Sequence, residues 1–357
     1  MDRTDAAAAD PGPDADPPDE DRPGDGAPVH AVGRVGVDFR SEARRDGFRH
    51  RLGATLGGAP PDPGDVRQLH DHLVRNPWAS SELTWTLSVD STTVYALEAE
   101  PAVAMDWAGP LPDREPDGSD EERLALLRRI AAAPPVHPVH RALRDTLLGQ
   151  SLPAGDPGRI GRLTVPGRLT DRSARLFSGR TVPVVRVSAV GLTRWTETPL
   201  IAAAAATVAG AARQRRPADD RNHDPDPDRV AEHVRALLDR VYYHLRNPGR
   251  SAAERALNHA LTETVLTGGL LAEGPLSADR VPGEPARDTA DAPGLYALDT
   301  VTVARSPYCR TGSDCQDVLV RFLDPTDERR TRVTYVCTVD VSDDLPVSLA
   351  PVHHFLG

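Results

Sequence analysis

Hydrophobic positions follow two different spacings along the chain, and these spacings separate helices from strands. Apolar side chains near residue 240 recur every three or four positions and form one helical stripe; they are Val230, Val234, Leu237, Leu238, Val241 and Leu245. Near the end of the chain apolar residues alternate with a period of two, at Val318, Val320 and Phe322 and then at Val333, Tyr335, Cys337, Val339 and Val341. We predict an amphipathic helix at the first set and two paired strands at the second.

Three earlier stretches carry strand signals, namely β-branched and aromatic residues bounded by Gly, Pro or Asp. They lie at residues 30–39, 83–100 and 160–190. The second stretch is predicted to be a hairpin that turns at Asp90 and Ser91.

Helix starts are marked by residues that cap backbone amides. Ser119 with Glu122, and Ser251 with Glu254, have the spacing of a capping box, so a helix should follow each serine. Residues 41–52 and 65–73 are also predicted helices, with the HDH segment of the latter on a solvated face.

Strands and helices are grouped in blocks rather than strictly alternating. This arrangement predicts an α+β fold with antiparallel sheet. We also expect the helix after Ser251 to pair with the amphipathic helix near residue 240 as an antiparallel hairpin.

The first 28 residues differ in composition from the rest. They contain nine carboxylates, two arginines and no aromatic residue, which predicts a disordered acidic tail. The tail carries −7 of the formal −11, leaving −4 for a single domain over residues 29–357, with linkers near 212–228 and 273–294. This mild charge disfavours nucleic acid as a partner.

The sequence also disfavours a membrane-spanning helix and catalysis by lysine. The apolar run at residues 199–212 is shorter than the roughly 20 residues that a bilayer requires, so we predict a buried or half-buried helix there. The chain has no lysine, which excludes Schiff-base chemistry on lysine. Three cysteines without a signal peptide predict a reducing, cytoplasmic location.

Candidate chemistry concentrates in one loop before the final strands. The binding residues predicted there are Ser306, Cys309, Ser313, Asp314, Cys315 and Asp317. Four states remain open for Cys309 and Cys315: ligands of a structural zinc ion, functional thiols, a disulfide, or buried cysteines. A zinc site would need two more ligands, from Asp314, Asp317, His259, His353 or His354.

Five segments of the chain carry recognisable motifs, which read VGVDFRSEARRDGF, NPWASSELTWTLSVDSTTVYAL, VPGRLTDRSARLFSGRTVPVV, RVYYHLRNPGRSAAERALNHA and SDCQDV followed by VDVSD. Together and in this order they resemble the blocks of a known family, the C-terminal domain of PatG-type cyanobactin maturation proteins. Gln316 departs from the family, which has tryptophan at that position. The chain shows no serine segment of the subtilisin-like protease that precedes this domain in the cyanobactin proteins.

The resemblance implies a place in the maturation of ribosomally made, post-translationally modified peptides. It carries over no catalytic residue, so the hypothesis is an accessory, non-catalytic domain that recognises the precursor peptide or docks a tailoring enzyme. The alternative is a metal- or thiol-dependent enzyme that modifies the peptide through the loop from Cys309 to Asp317. A third hypothesis is an oligomerisation module, for example a homodimer.

Overall fold

A computed structural model of the chain describes residues 26–55, 60–99, 119–132, 136–215, 226–267, 269–281 and 294–357. Two sheets of mostly antiparallel strands, with helices packed on them, confirm the α+β class. Most of the predicted acidic tail lies outside the described residues. Its last part already contacts the fold, because the carbonyls of Gly26 and Ala27 accept hydrogen bonds from Arg168 and Leu169.

The elements have the following bounds. The first sheet contains β1 (Pro28–Asp38), β2 (Thr84–Val89), β3 (Thr92–Ala99), β4 (Ile160–Arg175), β5 (Thr181–Val187) and β6 (Thr193–Thr196). The second contains β7 (Ala297–Arg305), β8 (Cys315–Leu323), β9 (Val333–Asp340), β10 (Val347–Ser348) and β11 (His353–Leu356). The helices are α1 (Glu42–Thr55), α2 (Val66–Arg75), α3 (Asp120–Ala132), α4 (Pro138–Ser151), α5 (Glu197–Arg215), α6 (Pro227–His244), α7 (Ala252–His259) and α8 (Leu270–Glu273). Helix α7 continues as π-helical turns over Ala260–Thr267.

The first sheet has the strand order β1-β2-β3-β5-β4-β6, and β1 also pairs with β4, so these pairings close a ring of five strands. Strand β1 divides between its two neighbours, with residues 28–33 on β4 and residues 34–38 on β2. Pairing between β3 and β5 is parallel. The predicted hairpin is confirmed: Asp90 and Ser91 both adopt positive φ, at 48° and 64°, which suits a two-residue turn between twisted strands.

Strand β1 contributes to both hydrophobic cores because its side chains alternate between two faces. Val29, Ala31 and Val35 pack with Trp85 and other residues of the first sheet, together with residues of α1, α2 and α4. Val32, on the opposite face, belongs to the core formed with α5, α6 and the second sheet. The strand therefore couples the two halves of the molecule.

The second sheet has the order β10-β9-β8-β7, with β11 also paired to β9. Every alternating apolar residue predicted for β8 and β9 is buried, as is the whole predicted stripe of α6. The expected hairpin of α6 and α7 is wrong, because α6 packs along α5 while α7 packs on β1 and the second sheet. Asn258 of α7 explains this placement, since its amide donates to the backbone oxygen of His30 at 2.7 Å.

Three sequence expectations need adjustment. Helix α5 runs to Arg215 and α6 begins at Pro227, so the first linker is shorter than predicted. The second predicted linker contains a 3-10 turn at Ser277–Arg280, and its residues 282–293 lie outside the described parts. His72 is buried rather than solvated, with its ring edge-on to Phe48. No helix in the described ranges has both the length and the apolar character needed to cross a membrane.

Candidate functional site

The disulfide loop, residues 306–317, connects β7 to β8 and extends into the first residues of β8. Cys309 and Cys315 form a disulfide with their Cα atoms 5.3 Å apart, which is one of the alternatives that the sequence left open. The amide of Ser306 donates to the carbonyl of Cys315 at 2.9 Å and closes the base of the loop. Gly312 makes the turn at φ 89°, a conformation that glycine adopts without a Cβ clash.

A second segment, the acidic turn at residues 340–344, supports the loop from the side. The amide of Asp314 donates to the hydroxyl of Ser342 at 2.7 Å, and the amide of Val341 donates to the carbonyl of Asp314 at 2.8 Å. Ser342 in turn donates its hydroxyl and its amide to the carboxylate of Asp340, and these hydrogen bonds lower the pKa of Asp340. The loop and the turn therefore form one continuous surface.

Arg255 of α7 lies beneath the acidic turn. The side chain is 7% exposed, and its Nη1 donates to the carbonyl of Asp343 at 3.2 Å. Burial lowers the pKa of this guanidinium, while the carboxylates of Asp314 and Asp344 oppose the shift. Asp344 also forms an ion pair with Arg168 of β4. These contacts tie the acidic turn to both sheets and limit the ways in which it can move.

Two histidines are buried beside Arg255. His30 of β1 is 4% exposed and His259 of α7 is 9% exposed, and their rings meet edge to face with centroids 5.8 Å apart. Burial is the main reason that the pKa of His30 falls to about 3 and that of His259 to about 4, so both rings are neutral near pH 7. The Nε2 atom of His259 lies 3.2 Å from the hydroxyl of Ser348 in β10. Neither ring nitrogen of His30 has a hydrogen-bond partner within the described parts of the chain.

The predicted site residues have different environments. Ser306 and Cys315 are buried, and Asp317 accepts a hydrogen bond from Thr338 on the neighbouring strand. Those three support the loop from inside. Cys309, Ser313 and Asp314 are partly exposed and reach its surface. Gln316, at the position of the family's tryptophan, is buried and donates to the carboxylate of Asp314 at 2.7 Å.

Zinc binding by Cys309 and Cys315 would first require reduction of the disulfide. Within the described ranges no group of three or more His, Cys, Asp and Glu side chains is arranged to hold a metal ion. Cys337 is buried, as its alternating position in β9 predicted. In this structure, therefore, neither the loop cysteines nor Cys337 presents a thiolate at the surface.

Sequence reasoning missed the most exposed aromatic residue of the site. Tyr308, which directly precedes Cys309 in the disulfide loop, is 84% exposed. A tyrosine inside a loop rich in turn-forming residues was the available signal, since such a side chain has little apolar surface to pack against. Asp314 of the same loop is partly exposed, and Asp343 of the adjoining acidic turn is exposed.

These features define an α+β protein of two sheets whose candidate site is a disulfide-braced loop beside an acidic turn. The family model described as "PatG C-terminal" matches residues 225–355, which contain α6 to β11 almost entirely and include the disulfide loop and the acidic turn. A solved structure described as "PatG Domain of Unknown Function" is 32% identical, with a TM-score of 0.66, and the alignment covers 93% of this chain and 100% of that chain. No curated protein matches the chain.

The chain belongs to the PatG C-terminal domain family. This confirms the family resemblance seen in the sequence and extends it to the fold, because the alignment with the solved structure covers 93% of the chain and so reaches well beyond residues 225–355.

Proposed function

We propose that this protein is an accessory binding protein in the maturation of ribosomally made, post-translationally modified peptides, and that it recognises the precursor peptide. Docking of a tailoring enzyme through the same surface is the closest variant of this proposal. Membership of the PatG C-terminal family over nearly the whole chain supports the place in peptide maturation. The binding role is supported by the candidate site itself.

One observation carries the binding role: Tyr308 projects into solvent from a loop that is closed both by a disulfide and by backbone hydrogen bonds. An aromatic residue on a braced loop can anchor a ligand without a large loss of conformational entropy on binding. The carboxylate of Asp343 on the adjoining acidic turn adds negative charge, which favours ligands with a basic residue, whereas Asp340 already interacts with the charge of Arg310.

The test measures affinity for the precursor peptide of the same pathway, labelled with a fluorophore and titrated by anisotropy. Tyr308→Ala should weaken binding at least about tenfold, because truncation of an anchoring tyrosine at an interface removes about 2 kcal/mol. Asp343→Asn, an exposed position, should weaken binding less and reduce its dependence on salt. Tyr243→Ala is the matched control, since this tyrosine is 63% exposed on α6.

Equal losses in Tyr308→Ala and Tyr243→Ala would contradict a role for the loop, and absence of any peptide binding would contradict the proposal as a whole. A separate assay addresses the enzyme alternative. If Cys309→Ser with Cys315→Ser abolished formation of a modified peptide but left peptide affinity unchanged, the loop would have a chemical role instead.

A further inference from the structure

Exposed apolar side chains cluster at one border of the second sheet. We call residues 347–356, which comprise β10, β11 and their connection, the C-terminal edge. Of the thirteen large hydrophobic residues that are exposed in the described ranges, five lie in these ten positions. They are Val347, Leu349, Val352, Phe355 and Leu356, each at least 40% exposed.

Among the described residues, no strand covers the outer side of this edge. Strand β11 pairs with the first half of β9, with His353 opposite Val336 and Leu356 opposite Val333. Strand β10 pairs with the last two residues of β9. Across the described ranges no strand pairs with the other side of β10 or β11. Alternate residues of an antiparallel strand direct both backbone groups away from their partner. The C-terminal edge thus offers donors and acceptors to one more strand.

The two edges of this sheet differ in the charge of their exposed side chains. Strand β7 exposes Thr300, Thr302, Ala304 and Arg305, which are small, polar or charged. Charged residues on an edge strand are a common protection against pairing with another chain. Residues 345–357 contain no Asp, Glu or Arg, in a chain of which 27% is charged. Pro351, between β10 and β11, has no amide N–H to donate, and both strands are short, so pairing with another chain is open chiefly along β11, which carries no Asp, Glu or Arg.

Charge identifies the kind of partner. The middle of the edge is uncharged, whereas its β10 end adjoins the acidic turn, since Val347 pairs with Asp340. A partner segment with an acidic residue in its middle would lose water there without gaining a counter-ion. A basic residue at the β10 end of the segment would instead lie near Asp343, since Asp340 already interacts with the charge of Arg310.

We infer that the C-terminal edge adds an extended peptide segment to the second sheet as a further strand. The segment has alternating apolar, uncharged residues and a basic residue at the end near the acidic turn. The inference rests on the proposed function and specifies how a peptide would be recognised. Main-chain hydrogen bonds would supply affinity, and the exposed apolar side chains would select alternate residues of the segment.

The test uses three fluorescein-labelled peptides with the sequence Arg-Thr-Val-Thr-Val-Thr-Val and a C-terminal amide. One is unmodified, one has N-methyl groups on the valine amides, and one has them on the threonine amides. In a paired strand only one of the two amide sets faces the protein. One methylated peptide should therefore lose at least about tenfold in affinity, since several hydrogen bonds are blocked, while the other keeps most of it.

Two protein variants locate the binding. Phe355→Lys places a charge on the C-terminal edge and should lower the affinity for the unmodified peptide at least about tenfold. Thr302→Lys makes the matched change on the opposite edge and should leave affinity unchanged. Equal affinity of both methylated peptides, or an unaffected Phe355→Lys variant, would overturn the inference. So would a dimer in sedimentation that Phe355→Lys dissociates, because a second copy would then occupy the edge.

The same variants separate this inference from the proposed function. Suppose that the pathway's precursor peptide binds, that Tyr308→Ala lowers its affinity and that Phe355→Lys does not. The edge inference then fails, and the proposed function stands. If the precursor peptide does not bind at all, the proposed function fails as well.

Discussion

Acid should destabilise this protein through His30, and the structure sets the size of the effect. The folded state holds the imidazole with a pKa of about 3, against 6.5 for an exposed histidine, because of burial and then because of His259 and Arg255. The lowered pKa means that the folded state favours the neutral ring. Its stabilising contribution is therefore complete above pH 6.5 and is lost progressively as the pH falls towards 3.

Linkage gives the magnitude. Between pH 8 and pH 5 the unfolded state takes up a proton at this position and the folded state does not, which removes about 2 kcal/mol from the free energy of unfolding. His259, with a pKa of about 4, acts in the same direction by a similar amount. His30→Leu should therefore remove about half of the acid sensitivity that the two rings cause.

The assay is urea unfolding of the parent and of His30→Leu at pH 8, 6.5 and 5, followed by tryptophan fluorescence. At pH 8 the variant should be within about 1 kcal/mol of the parent, because leucine replaces two buried nitrogens that lack partners in the described parts of the chain. At pH 5 it should be the more stable of the two. An identical loss of stability in both proteins between pH 8 and pH 5 would refute the burial of a neutral His30.

Two further changes test contacts within the fold. Gly249→Ala should lower the free energy of unfolding by about 3 kcal/mol in chemical denaturation, because Gly249 has φ 66° and a Cβ there would overlap the carbonyl of His30. Stability equal to that of the parent would show that the loop before α7 does not approach β1 this closely. Arg330→Met should lower the free energy of unfolding by about 3–5 kcal/mol, because it leaves the buried carboxylate of Asp324 without the guanidinium that lies 2.9 Å away. The thermal midpoint should fall accordingly. A loss of stability below about 1 kcal/mol would indicate that the ion pair is solvated.

Much of the fold could be predicted because the signals are local. The apolar stripe of α6, the alternation of β8 and β9 and the turn at Asp90 and Ser91 all depend on residues close in sequence. Strand β11 was not predicted, because its four-residue HHFL sequence is short and does not alternate cleanly. Its place depends on pairing with β9, which the local pattern does not encode.

The sequence drew attention to the loop of the candidate site but did not show its structure. Cys309 and Cys315 marked the loop, yet only the folded spacing of their Cα atoms shows that they can bond. The roles of Arg255 and His30 were missed, because β1 and α7 are more than 200 residues apart and meet only in the folded chain. His72 was assigned to solvent for a similar reason, since Phe48, which covers it, lies on another helix.

Because β1 contributes to both hydrophobic cores, this protein cannot readily be divided into two separately folding fragments. The matched family region begins at residue 225, but α7, inside that region, rests on a strand near the start of the described chain. A fragment cut at that boundary would expose the α7 surface that contacts β1, including the amide of Asn258 and the ring of His259. Recombination between relatives should therefore preserve the match between β1 and α7, so the two segments are expected to be inherited together rather than exchanged as separate modules.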